Sequence, residues 1–165
     1  AEKIIRAYGQ TFDLPYTIIR PSALYGERCI SRRVGQIFIE SALNKSKIII
    51  NGNGEEKLDF TYIEDLAKGC VLAGTKEKGI NQTFNITFGR AQTLYSFVMN
   101  LKKLFPDLKF KIKTRDKSKP SRGTLSINKA KKFLNFNPKY SLKIGVNKYV
   151  KYLIDNNIYK KIEKK

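Results

Sequence analysis

Apolar positions recur at helical spacing in several stretches of the chain, and short β-branched runs separate them. Ile4, Ile5 and Tyr8 share a face and predict the end of a helix over residues 1–12, closed by the segment from Gln10 to Pro15. Tyr16 to Arg20 predicts a strand stopped by Pro21, and residues 21–33 form a loop carrying Gly26 and several arginines. Ile37, Phe38 and Leu43 anchor a helix over residues 34–44, and Ile48 to Ile50 read as a buried strand. Asn51-Gly52-Asn53-Gly54 is a turn of residues that tolerate positive φ, followed by an extended stretch from Glu56 to Phe60. Thr61-Tyr62-Ile63-Glu64 fits a capping box and predicts a helix beginning at Thr61, with Ile63, Leu66, Ala67, Cys70 and Val71 turned inward.

The second half continues the alternation. Residues 83–87 predict a strand, and Thr93 caps a helix with Leu94, Phe97, Val98, Leu101 and Leu104 on one side, ending near Pro106. Lys109 to Lys113 alternates as a half-buried strand, and Arg115 to Gly123 is a polar, basic loop. Helices follow over residues 128–135 and from Ser141 to about Tyr152, and the tail from Lys160 to Lys165 frays. Strands alternating with helices, without an internal repeat or an interdomain linker, give an α/β fold class.

Composition narrows the picture. A chain of 165 residues, 41% apolar, fits one domain with a real core. No apolar run approaches the roughly 18 residues of a membrane span, and residues 1–10 are no signal peptide, so a cytoplasmic protein without a membrane partner is expected. Cys29 and Cys70 stand far apart and are expected reduced, with Cys70 in the core. The absence of histidine excludes Ser-His-Asp and Cys-His catalysis and histidine metal sites within these residues, and no metal is expected. A net charge of +19 invites a nucleic-acid reading, but the lysines are spread along the chain. Phe38, Phe60, Phe84 and Phe97 sit in apolar patterns, which predicts buried rings rather than a stacking platform. The charge better suits a field that draws in anionic ligands.

Four blocks carry a resemblance. They are Leu14-Pro15-Tyr16-Thr17-Ile18-Ile19-Arg20-Pro21-Ser22-Ala23-Leu24-Tyr25-Gly26, the run from Asn51 to Asp65, Thr83-Phe84-Asn85-Ile86-Thr87, and the run from Ile127 to Gly145. In this order and spacing they resemble the C-terminal portion of the NAD(P)-dependent nucleotide-sugar epimerases and dehydratases, which are extended short-chain dehydrogenases/reductases. The resemblance implies the C-terminal part of a Rossmann-type fold with the small substrate-binding domain. Residues 1–33 would be the tail of the Rossmann-type domain. Residues 34–165 would be mainly the substrate-binding region, with some segments returning to the Rossmann sheet.

It also implies function. The family's catalytic Tyr-x-x-x-Lys and its glycine-rich NAD or NADP fingerprint are expected upstream of Ala1, so no catalytic residue is assigned here. Tyr8 is no substitute base, because Phe12 stands four residues later. Pro21 and Ser22 would edge the cofactor. Ala23 stands where many members carry an asparagine on the substrate diphosphate, a contact alanine cannot make. Arg33 and Val34 would lie beside the nucleotide, and Ile49 and Asn51 would flank the base. Leu58 replaces a phosphate-clamping arginine, and strand alternation turns the adjacent Lys57 to the opposite face. Asp59 is expected to anchor backbone or a neighbouring side chain. Arg115 and Arg122 are the candidates for the late arginine on the diphosphate, where a guanidinium fork suits bidentate binding.

The expected partners are a nucleoside-diphosphate sugar and either an N-terminal half or a second copy, since apolar edges would otherwise be exposed. A non-catalytic sugar-nucleotide-binding module and a basic nucleic-acid-binding domain are the alternatives.

Overall fold

The computed structural model describes residues 1–29, 31, 33–114 and 121–158. Among these, strands pair two by two. β1 (Thr17–Arg20) runs parallel to β6 (Gln82–Asn85), β2 (Leu24–Tyr25) to β5 (Thr61–Tyr62), and β3 (Ile48–Asn51) to β8 (Phe110–Lys113). β4 (Lys57–Leu58) is antiparallel to β7 (Gln92–Thr93). Parallel partners cannot be joined by tight hairpins, so α2 (Val34–Leu43), α3 (Ile63–Thr75) and α4 (Leu94–Leu104) lie in the crossings, while α1 (Glu2–Phe12) precedes β1 and α5 (Asn128–Leu134) and α6 (Leu142–Asp155) follow β8.

Two apolar clusters hold these elements. The larger gathers α2, α4 and α6 around the ring of Phe97, which meets Phe60 at 4.9 Å, Phe38 at 5.9 Å and Tyr25 at 6.0 Å between centroids. Tilted and edge-on geometries predominate, as the ring quadrupole favours. The smaller cluster packs Ala73, Phe84, Ile86, Ala130, Leu134 and Phe136 where α3 and α5 cover β6. Thr93 and Ser141 cap α4 and α6, their hydroxyls accepting from the backbone N–H of Ser96 and Ile144.

Several expectations need correction. The loop over residues 21–33 contains β2, whose two residues are fixed by pairing with β5. That pairing also claims Thr61 and Tyr62, so the capping box does not form and α3 starts at Ile63 without a side-chain cap. Thr61 Oγ1 instead donates to the Asp59 carbonyl at 3.4 Å, and Glu64 accepts from Lys148 and Tyr140.

The buried face of α3 is Asp65, Gly69 and Ala73, leaving Cys70 exposed rather than in the core and Val71 exposed beside it. The reason is close approach. A Cβ at Gly69 would sit 2.2 Å from Ile86 Cγ2, and the Asp65 carboxylate accepts from the backbone N–H of Lys139 (2.8 Å) and Tyr140 (2.9 Å). β3 is buried on one face only, with Ile49 open, and along β8 only Phe110 is partly covered. The four phenylalanines expected inside, Phe38, Phe60, Phe84 and Phe97, are buried.

Candidate functional site

One cavity of ≈ 590 Å³ opens beside the larger cluster. Each wall follows from a local feature of the chain. The β1–β2 link brings Ala23 to the rim with φ at 38°, a left-handed conformation rare for alanine, while its carbonyl accepts from Thr61 N at 3.3 Å. α2 begins at the cavity: Arg33 is its N-cap without a side-chain cap bond, and Val34 and Gly35 line the wall. Its first-turn N–H groups therefore add positive potential there. β3 alternates, so Ile48 and Ile50 enter the core while Ile49 and Asn51 turn to the cavity. The turn that follows reverses the chain through Gly52 and Gly54, at φ 87° and 86°, and delivers Glu56, Lys57 and Leu58 to the opposite wall.

The last wall is the segment bearing Ser121 and Arg122. Asp59 fixes its approach. This carboxylate is fully buried and accepts from Leu125 N (3.2 Å), Gly89 N (3.1 Å) and Thr87 Oγ1 (3.0 Å). Ala91 N donates to Thr124 Oγ1 at 2.9 Å, and Asn85 Nδ2 to the Ser126 carbonyl at 2.9 Å. Asp59 is thus an anchor of backbone, as its position implied.

The cavity gathers Ala23, Arg33, Val34, Ile49, Asn51, Leu58 and Arg122 from the sequence candidates. Arg115 lies outside the described residues. Pro21 and Ser22 do not line the cavity; Pro21 is exposed and Ser22 half-buried, one step from Ala23. Two residues of one loop do not by themselves hold a dinucleotide.

Sequence reasoning missed Glu56, Lys57 and Leu94 as lining residues. β4 is two residues long, and both Lys57, which is exposed, and Leu58, which is half-buried, are among the residues around the cavity. Three cations and one carboxylate line the walls, a balance suited to an anion.

No tyrosine of the core is poised as a base. Burial raises the phenol pKa values of Tyr25, Tyr62 and Tyr149 above the ordinary 10.0, and a hydrogen bond from Tyr62 to the Glu27 carboxylate adds to its shift. No group of three or more His, Cys, Asp or Glu residues that could hold a metal ion occurs among the described residues. None of their helices is long and apolar enough to cross a membrane.

Fold and cavity together define part of a Rossmann-type extended short-chain dehydrogenase/reductase. The profile of the NAD dependent epimerase/dehydratase family matches residues 1–87, and the chain belongs to that family. It is 32% identical over 157 residues to an uncharacterized UDP-glucose epimerase, YtcB, of Bacillus subtilis, covering 92% of this chain and 48% of that protein. A putative UDP-glucose 4-epimerase of Methanocaldococcus jannaschii is 30% identical, with coverages of 94% and 51%.

Among solved structures, the UDP-glucose 4-epimerase of Thermotoga maritima with UDP-glucose superposes with a TM-score of 0.88 at 30% identity, covering 94% of this chain and 51% of that one. The UDP-glucuronic acid 4-epimerase of Bacillus cereus, in complex with UDP-glucuronic acid and NAD, gives 0.86 at 25% identity, with coverages of 94% and 50%. The chain spans about half the length of the curated relatives it matches.

Proposed function

We propose that this chain forms the nucleoside-diphosphate-sugar pocket of a cytoplasmic NAD(P)-dependent epimerase or dehydratase, as its C-terminal part. The observation that carries the reading is convergence. Arg33, Asn51 and Arg122, far apart in sequence, meet around one cavity with Val34 and Ile49. Ile49 and Val34 supply apolar surface for a base, Asn51 an amide for its edge, and the arginines charge for the phosphates.

No Tyr-x-x-x-Lys occurs among these 165 residues. The reading therefore assigns binding to this chain, and leaves proton abstraction and hydride transfer to residues outside it. The apolar face of α1, where Ile4, Tyr8 and Phe12 are exposed, is the surface on which an N-terminal half or a second copy would sit. The buried Phe38, Phe60, Phe84 and Phe97 offer no stacking platform, which favours a nucleotide-sugar over a nucleic-acid strand.

Thermal unfolding with added UDP-glucose, UDP-glucuronic acid and a guanosine-diphosphate sugar tests the reading. A matching ligand at a hundred times its Kd stabilises by about 2.7 kcal/mol. No shift with any nucleotide sugar, together with salt-sensitive DNA binding, would overturn it.

A further inference from the structure

Resting on the pocket reading for its cargo, we propose that the open face of the β3–β8 sheet is a lysine track that captures anionic nucleotides from solution and feeds them into the cavity, without belonging to the bound site. The parallel register sets Ile49 beside Lys111 and Asn51 beside Lys113. Partners in a ladder project to the same side of a sheet, so these two lysines stand on the face that Ile49 and Asn51 turn to the cavity. Lys47 and Lys109 flank the first rung, where Ile48 N donates to the Lys109 carbonyl at 3.0 Å. Residues 47–51 and 109–113 thus hold four lysines, Lys47, Lys109, Lys111 and Lys113, and no acid. None of the four lines the cavity.

Register sets these four apart from the other lysines of the chain. All are exposed, and none has an ion pair among the described residues. The rise of a strand spaces Lys109, Lys111 and Lys113 roughly 7 Å apart, and the separation of strands puts the backbone of Lys47 about 5 Å from that of Lys109. Like charges this close on one face repel each other, and a passing anion relieves the repulsion. A row of fixed charge that ends at a concave, partly apolar site focuses its field there and raises the local concentration of anions. The ammonium groups are mobile point charges without a fork, which suits brief capture rather than fixed recognition. β3 and β8 pack on the larger cluster, to which α1 contributes no residue, so the track and the apolar face of α1 belong to different parts of the fold.

A track acts on association and leaves dissociation alone. Stopped-flow binding of UDP-glucose and of uncharged uridine, each carrying the same neutral fluorophore, tests this on the wild-type chain and on the fourfold variant Lys47→Gln, Lys109→Gln, Lys111→Gln and Lys113→Gln. At about 0.01 M salt the variant is expected to bind UDP-glucose roughly threefold to thirtyfold more slowly and to release it within about twofold of the wild-type rate. The difference closes at about 1 M salt, where the screening length falls to about 3 Å, and uridine shows none at any salt. Removing the same charge from exposed lysines elsewhere, with Lys68→Gln, Lys78→Gln, Lys131→Gln and Lys143→Gln, leaves association within about twofold. Should the fourfold variant fold poorly, the pairs Lys47→Gln with Lys109→Gln and Lys111→Gln with Lys113→Gln each slow association by roughly half as much on a logarithmic scale.

An equal slowing in the control variant makes net charge the cause and overturns the track, as does an unchanged association rate. Faster release with unchanged association puts the lysines in the bound site and overturns it too. In these three cases the pocket reading stands. A wild-type chain that binds UDP-glucose at no salt concentration overturns the pocket reading itself.

Discussion

Helices α1 and α4 are both eleven residues long and both carry apolar residues at helical spacing, yet α1 buries none of its residues and α4 buries four. α4 starts on a capped Thr93 and drives Leu94, Phe97, Val98 and Leu101 into the larger cluster. α1 starts without a side-chain cap and leaves Ile4, Ile5, Tyr8 and Phe12 open. Its hydrogen-bonded ties are peripheral, Arg6 to Thr83 Oγ1 at 2.9 Å and Glu2 to Arg20, and the Tyr16 ring lies against Gly9. Apolar periodicity therefore reports that a helix has a sticky face, and says nothing of whether that face is covered. Burial is what stabilises, at about 1.5–3 kcal/mol for each large side chain removed from water.

The strongest way to break this comparison is to truncate one side chain in each helix. Phe97→Ala removes the ring on which Tyr25, Phe38 and Phe60 converge, and is expected to cost about 3–5 kcal/mol in urea unfolding. Ile5→Ala, on the open face of α1, is expected to cost less than about 1 kcal/mol. Similar losses at both positions would mean that α1 is packed as firmly as α4.

The same contrast explains what the sequence disclosed. The helix over residues 94–104 was legible to its cap, because Thr93 and the Leu94–Leu101 pattern agree with one another and with the packing. Arg33, Asn51 and Arg122, which line the cavity, were legible only as candidates implied by the resemblance: Asn51 opens one of the four blocks, whereas Arg33 and Arg122 lie between blocks. What escaped depended on long-range pairing or close approach. Thr61 has the composition of a helix cap, but β2 claims it for a strand. Cys70 has helical spacing with Ile63 and Leu66, but Gly69 lets α3 lie against Ile86 on its small-residue face, turning Cys70 outward. A one-dimensional pattern holds none of these contacts, since each partner lies on another element.

Ala23 sits at the seam between the sparsely held front and the packed cavity, and sharpens the comparison at intermediate size. Its φ of 38° is held by the loop and by the bond from Thr61 N, in a region where alanine has no preference and asparagine is enriched. Ala23→Asn is expected to raise stability by about 0.5–1 kcal/mol. The same change adds an amide to the cavity wall, so it should also tighten UDP-glucose binding. Both follow from thermal unfolding with and without ligand. A lower unfolding temperature would show that the wall has no room for the amide and that the left-handed backbone is not a strain the fold carries.

The smallest expected effect lies in the Glu2–Arg20 pair, which ties α1 to β1 through two bonds of 2.7 and 2.6 Å. The Arg20 hydrogen bond holds the Glu2 carboxyl below its ordinary value of 4.5, and Arg20 itself stays charged throughout. Because the folded-state value is the lower one, the pair contributes stability above the unfolded value and loses it as pH falls through the folded value. Solvent screens both side chains, which are 53% and 38% exposed, so the whole-molecule unfolding midpoint should scarcely register the loss. Local opening of α1 should. Amide exchange followed from about pH 6 to about pH 3, corrected for the intrinsic rate, is expected to show protection falling in α1 while α4 keeps its own. Glu2→Gln should flatten the pH dependence in α1 and leave α4 untouched. If both helices lost protection together, α1 would open only with the larger cluster, and its exposed face would be no sign of weaker attachment.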